Sequence, residues 1–213
     1  MSYFSKPVTP AVLSPELRAL CNALVPDGEP LYVDVKPLAD AREDDCFPLV
    51  QQQVRSFGGQ SVIGWSLWEF PTLFFEAEFH CVWRQADGNL VDVAPKRADC
   101  ARVFFLPDGR RHYEGMQVNN IRRPLRQEPA LLAYFASFDS EFDLLNRGAR
   151  AQEHGEITLE GAEAIEHHEI IDKREAAFFE LAPLFPKIGP YHPCPCGSGR
   201  KVKWCHKEIT NAA

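Results

Sequence analysis

Three cysteines and a histidine stand close together near the C-terminus of this chain. The stretch "CPCGSGRKVKWCH", residues 194–206, supplies Cys194, Cys196, Cys205 and His206. Three thiolates and one imidazole form a typical tetrahedral shell for structural zinc. The Gly-Ser-Gly segment between the pairs allows the backbone to turn tightly around an ion. We therefore expect one zinc site, in a segment that has too little apolar material to fold without the metal.

Two alternatives to this ligand set remain open from the residues alone. The cysteines could form a redox-active or incidental cluster instead of a metal site. His192 lies two residues before Cys194 and is a rival fourth ligand. Four basic residues around the cluster, by contrast, favour the deprotonated thiols that a metal requires, namely Arg200, Lys201, Lys203 and Lys207.

The cysteine spacing and the Gly-Ser-Gly loop of this stretch resemble the SEC-C motif. This zinc-binding module ends the SecA preprotein-translocase ATPase and is appended to many bacterial proteins. The resemblance covers about the last twenty residues. It implies zinc at Cys194, Cys196, Cys205 and His206, and docking to a protein or ribosomal partner. The chain has no Gly-rich phosphate loop ending in Lys-Ser or Lys-Thr, so we do not expect ATP hydrolysis.

Charge separates the tail from the rest of the chain. From residue 187 onward, the chain has five lysines and arginines and one glutamate, a net charge of +4. Because the whole chain has a net charge of −7, residues 1–186 carry a net charge of −11. Contact with nucleic acid is therefore expected only at the basic tail. The sequence shows neither a signal-peptide pattern nor a membrane-length apolar run, which predicts a cytoplasmic protein with reduced cysteines. The oligomeric state is not predicted.

Hydrophobic periodicity and turn signals predict an α+β body over residues 1–186, followed by a zinc module over residues 187–213. A short helix begins after Ser14, and a second begins near "DDCFPLV". An antiparallel sheet is expected from "PLYVDV" and from residues 61–69, 72–84, 89–94, 101–106 and 111–118. Two helices, residues 129–147 and 157–184, follow the sheet, the second with Thr158 as its N-cap.

The body contains a candidate thiol catalyst. Cys46 precedes or opens a helix, where the helix dipole lowers a thiol pKa; His80 lies on a predicted strand and Asp92 on the next. This order of nucleophile, base and orienting group resembles the NlpC-type papain-like cysteine hydrolases over about residues 40–95, and it implies a papain-like core over about residues 40–120. The resemblance implies a papain-like core in which Cys46 attacks an amide or thioester carbonyl and His80 transfers the proton.

Simpler interpretations of the same residues stay open. Cys46 can be a core cysteine, His80 a structural histidine and Asp92 a turn or surface carboxylate. Glu76, Glu78 and His80 could also contribute to a metal site. A tight hairpin at residues 87–88 would place His80 and Asp92 on opposite faces, so the catalytic set requires a bulge or a longer loop. The alternative to an enzyme is a non-catalytic adaptor or chaperone-like binding protein.

Overall fold

The computed structural model describes residues 6–42, 45–96, 100–153 and 157–205. The strands are β1 (Leu31–Val35), β2 (Gln60–Phe70), β3 (Phe74–Arg84), β4 (Leu90–Asp92), β5 (Arg102–Pro107) and β6 (Ile121–Pro124). The helices are α1 (Pro15–Leu24), α2 (Cys46–Phe57), α3 (Pro129–Leu145), α4 (Gly161–Leu181) and α5 (Val202–Cys205), with 3₁₀ turns at Gly148–Gln152 and Ala182–Leu184. Within the described part of the chain, no helix is both long and apolar enough to cross a membrane.

Five strands close into a barrel in the order β2-β5-β1-β4-β3, with β3 returning to β2. The long β2–β3 hairpin forms one wall, and β6 adds to β3 outside the closed ring. The α+β class is confirmed, but the simple antiparallel sheet is a correction: β1 and β4 pair in parallel. The chain between β1 and β4 runs through α2 and the β2–β3 hairpin, and β4 then lies beside β1 and runs in the same direction.

The two faces of the barrel strands are buried differently. One cluster, Val33, Trp68, Val82, Val103 and Phe105, contains strand residues alone, although each is almost fully buried. Only the walls of the barrel can cover these side chains, so they fill its interior. The alternate strand residues form a larger outer cluster that α1 and α2 cover.

The helix boundaries follow capping chemistry. The Ser14 hydroxyl accepts a hydrogen bond from the Leu17 amide at 3.2 Å, as expected for the N-cap of α1. By contrast, α4 begins at Gly161, after Glu160, so the prediction of Thr158 as its cap is wrong. The α3–α4 pair packs on the start of β3 through a separate apolar cluster, which includes Phe74, Leu131 and Leu181.

One predicted strand is absent. Residues 111–118 contain no strand, and Gly115 there has a φ of +81°, a left-handed conformation that interrupts extended structure. The strand begins later, as β6, where Arg122 lies opposite Glu76 of β3. A 2.7 Å ion pair between these two side chains fixes β6 to the barrel.

Candidate metal centre and the buried network of the barrel

The three cysteines of the tail converge. Cys196 Sγ lies 3.2 Å from Cys194 Sγ and 3.4 Å from Cys205 Sγ, and all three sulfurs lie within 4.8 Å of one another. Soft donors gathered at this spacing can hold one metal ion, as the sequence predicts.

Local backbone geometry produces this convergence. The Cys194 amide donates to the Arg200 carbonyl at 2.8 Å, and the Gly197 amide donates to the Cys194 carbonyl at 3.2 Å. Gly197 and Gly199 adopt φ values of +68° and +73°, which other residues tolerate poorly. The turn therefore folds back on itself, and α5 then presents Cys205 to the first two sulfurs.

The thiols differ in acidity because their surroundings differ. Burial raises the pKa of Cys194 and of Cys205. Burial also acts to raise the pKa of Cys196, but hydrogen bonding from Ser198 and the neighbouring thiols outweighs it, and the Cys196 pKa is lowered. Ser198 Oγ also lies 3.1 Å from Cys205 Sγ. The Gly-Ser-Gly loop thus stabilises negative charge on the cluster.

The fourth ligand of the predicted zinc shell is a histidine. His206 lies outside the described residues, and its role as a ligand stays a prediction. His192, the alternative, is exposed, and its Nδ1 accepts a hydrogen bond from the Gly189 amide at 2.9 Å. Its ring nitrogens do not belong to the group formed by the three sulfurs among the described residues.

An aromatic and basic face borders the metal centre, and sequence reasoning missed it. Tyr191 and Trp204 are 60% and 55% exposed, with ring centres 6.2 Å apart. Lys203 Nζ lies 4.6 Å from the first ring centre and 5.0 Å from the second, and Lys201 Nζ lies within 6 Å of both. The two lysines next to a tryptophan in "KVKW" were the available signal.

The second candidate site lies inside the barrel. The hairpin loop spans residues 85–89, longer than a tight turn, and pairs Trp83 with Val91. This register puts Asp92 on the face of His80, and His80 Nε2 lies 2.9 Å from Asp92 Oδ2. Lys96 Nζ, which the sequence did not single out, lies 2.7 Å from the same carboxylate oxygen and 3.0 Å from His80 Nε2.

The electrostatic interactions within this network are strong because its groups are almost completely buried. Burial disfavours the charged imidazole, yet the Asp92 carboxylate, with an electrostatic contribution from Cys46, outweighs burial and raises the His80 pKa to about 10. Burial likewise opposes ionisation of Asp92, but His80 and Lys96 lower its pKa to about 2. His80 Nδ1 has no hydrogen-bond partner among the described residues.

Cys46 lies close enough to this pair to act electrostatically on the His80 imidazole. It opens α2, as predicted, but packs in the outer cluster beside Phe47 and Val50, with 5% of its surface exposed. His80 points instead into the barrel, where its ring meets that of Phe105. In the described part of the chain, no hydrogen bond joins Cys46 to His80. The catalytic role of Cys46, His80 and Asp92 stays a prediction.

The comparisons with known proteins concern a segment of the chain. It is 40% identical over 68 residues to the protein translocase subunit SecA of Aromatoleum aromaticum, covering 26% of this chain and 8% of that protein. It is 53% identical over 36 residues to SecA of Dechloromonas aromatica, covering 17% and 4%. SecA of Xylella fastidiosa is 40% identical over 50 residues, covering 24% and 6%.

The chain spans less than a tenth of the length of these relatives. A similarity of this extent, together with the cysteine cluster, fits a SEC-C-type C-terminal segment. No family model matches the chain, and no solved structure matches it. These comparisons give no support to the papain-like resemblance of the body.

Proposed function

We propose that this protein binds one zinc ion through Cys194, Cys196, Cys205 and His206, and that the zinc module docks the chain to a protein or ribosomal partner. The convergence of three sulfurs within 4.8 Å is the observation that carries the proposal. Similarity to a segment of SecA supports it further.

The sulfur positions suit a zinc ion. A tetrahedral ion with Zn–S bonds of about 2.3 Å separates its sulfurs by about 3.8 Å. The distances of 3.2 Å and 3.4 Å around Cys196 need to widen by only a few tenths of an ångström. The ion would hold the turn and α5 together and thereby order the module. This role is structural, since a shell of four protein ligands leaves no open position for a substrate.

Metal analysis of the purified chain tests the zinc part of the proposal. We expect one zinc per chain in the wild type, and loss of zinc in Cys194→Ser. Cys100→Ser is the matched control, because Cys100 lies outside the cluster and that variant should retain the metal. The pair His206→Ala and His192→Ala distinguishes the two candidate histidines: only His206→Ala should weaken zinc binding. Zinc retained in Cys194→Ser would contradict the assignment.

The face beside the metal centre supports the docking role. Exposed aromatic rings with lysines over them combine apolar contact area with positive charge, and this suits an acidic protein surface or ribosomal RNA. The acidic balance of residues 1–186 leaves the tail as the basic surface of the chain. The docking contact should therefore weaken as salt is raised.

Cosedimentation with purified bacterial ribosomes, and binding to purified acidic chaperones, tests this face. We expect Trp204→Ala to reduce binding while leaving the zinc content unchanged. Phe179→Ala is the control, because Phe179 is the most exposed aromatic side chain of α4 and lies outside the module. Equal binding by both variants would exclude this face as the docking surface.

A thiol hydrolase or acyltransferase is the second candidate, and the hydrogen bond between His80 and Asp92 is the observation that favours it. It requires the Cys46 sulfur to reach the His80 ring, and no hydrogen bond joins these two side chains in the described part of the chain. The adaptor function needs no such movement and is the one we favour. Fast alkylation of Cys46 near neutral pH, abolished by His80→Ala, would reverse this preference.

A further inference from the structure

The N-terminal segment, which we define as residues 8–11, is fastened to three strands of the barrel. The amide of Val8 donates to the Glu69 carbonyl of β2, and the Glu69 amide donates to the Val8 carbonyl, both at 2.9 Å. Thr9 Oγ1 donates to a β5 carbonyl, that of Arg102, at 2.7 Å. The hydroxyl of Tyr32 on β1 donates to the carbonyls of residues 10 and 11 at 2.8 Å and 3.0 Å.

The zinc module packs against the same segment. Val8 is 1% exposed because it packs in an apolar cluster with Cys194 and Val202. Ile188, Cys196 and Cys205 pack around this cluster. All three predicted sulfur ligands therefore lie in or against an apolar cluster that includes Val8. By contrast, Val12, just beyond the segment, is 71% exposed.

The fit between segment and module is also close at the glycine turn. A β-carbon on Gly197 would lie 2.6 Å from the β-carbon of Ala11, so a side chain at residue 197 has no room. The short turn between Cys196 and Ser198 thus rests directly on the N-terminal segment. A flexible tail that moves freely would place no such restriction on its loop.

From these contacts we infer that the N-terminal segment is a mount for the zinc module, and that metal binding and docking of this segment to β2 are thermodynamically coupled. The inference rests on the proposed zinc site. The ion holds Cys194 and Cys205 in place, and these side chains in turn help to cover Val8. Loss of the ion frees the module, uncovers Val8 and weakens the paired hydrogen bonds to Glu69.

Coupling of this kind is reciprocal. If zinc stabilises the docked segment, then the docked segment strengthens zinc binding by the same factor. The module is then a rigid projection of the barrel, and it presents Tyr191 and Trp204 in one orientation. A partner would find this face preorganised only while the metal is bound.

Hydrogen exchange of the full chain, with zinc bound and after chelation, measures the coupling directly. We expect chelation to accelerate exchange of the Val8 and Glu69 amides about tenfold or more, a typical size for coupling between sites. The amides of Val103 and Phe105, inside the barrel, serve as the internal control and should not change. Unchanged exchange at residues 8 and 69 on removal of bound zinc would overturn the inference.

Zinc affinity measures the reverse direction, by competition with a chromophoric chelator. Val8→Ala should weaken zinc binding about tenfold, because it removes buried contacts of the module. Val12→Ala, its matched control, should not change the affinity. Equal affinities would overturn the inference and leave the zinc proposal standing, whereas a wild-type chain that binds no zinc would defeat the proposed function and this inference together.

Discussion

Replacing Asp92 by asparagine should destabilise the barrel severely. The Asp92 carboxylate is fully buried and lies between His80 Nε2 at 2.9 Å and Lys96 Nζ at 2.7 Å. Its pKa of about 2, against the ordinary value of 3.8, corresponds to ~2.4 kcal/mol of stabilisation of the charged form. Asparagine also leaves the buried Lys96 ammonium without its carboxylate partner, and breaking a buried pair in this way costs about 3–5 kcal/mol.

We therefore expect Asp92→Asn to lower the free energy of unfolding by about 3 kcal/mol. The raised pKa of His80 and the lowered pKa of Asp92 reflect one interaction, so its free energy counts only once. The smaller of the two pKa shifts, that of Asp92, sets its size. Urea denaturation followed by tryptophan fluorescence at pH 7 provides the measurement. Asp87→Asn, in the exposed hairpin loop, is the control and should change stability far less. A loss below about 1 kcal/mol for Asp92→Asn would refute the reasoning.

Three further expectations concern the body. Because His80 has a raised pKa, its contribution to stability is complete below pH 6.5 and should decrease as the pH rises toward 10. Urea titrations across that pH range should show this decrease in the wild type, and Asp92→Asn should abolish it. A Gly64→Ala β-carbon would lie 2.2 Å from a β5 carbonyl oxygen, so this variant should lose ~3 kcal/mol or more, whereas Gly109→Ala, with open space around it, should match the wild type in thermal melts. Iodoacetamide should label Cys46 much more slowly in the native chain than in urea; equal rates, by mass spectrometry, would contradict its burial.

The convergence of the three tail cysteines and the strand face of His80 could be predicted from local patterns. Ligand spacing determines which cysteines can share one ion, and strand alternation determines which face His80 occupies. The pairing of His80 with Asp92 depended on the hairpin loop, and the actual loop of residues 85–89 is long enough to place both on one face. Lys96 was missed because it follows β4 in a segment without periodicity.

Barrel closure could not be predicted, because it depends on pairings between distant segments. The parallel contact of β1 with β4 joins Asp34 to Val91, and neither strand carries a signal for its partner. Strand β6 has the sequence "IRRP", which looks like a solvated loop until Glu76 supplies the partner for Arg122. The packing of the zinc module against Val8 could not be predicted either, since about 185 residues separate the two along the chain.

X-ray absorption spectroscopy at the zinc edge, on the purified chain, is the most direct test of the central claim. Extended fine structure reports the number, element and distance of the ligands around the ion. We predict one zinc per chain with three sulfur neighbours at about 2.3 Å and one nitrogen at about 2.0–2.1 Å. A shell dominated by oxygen or nitrogen, or a chain without stoichiometric zinc, would contradict the account.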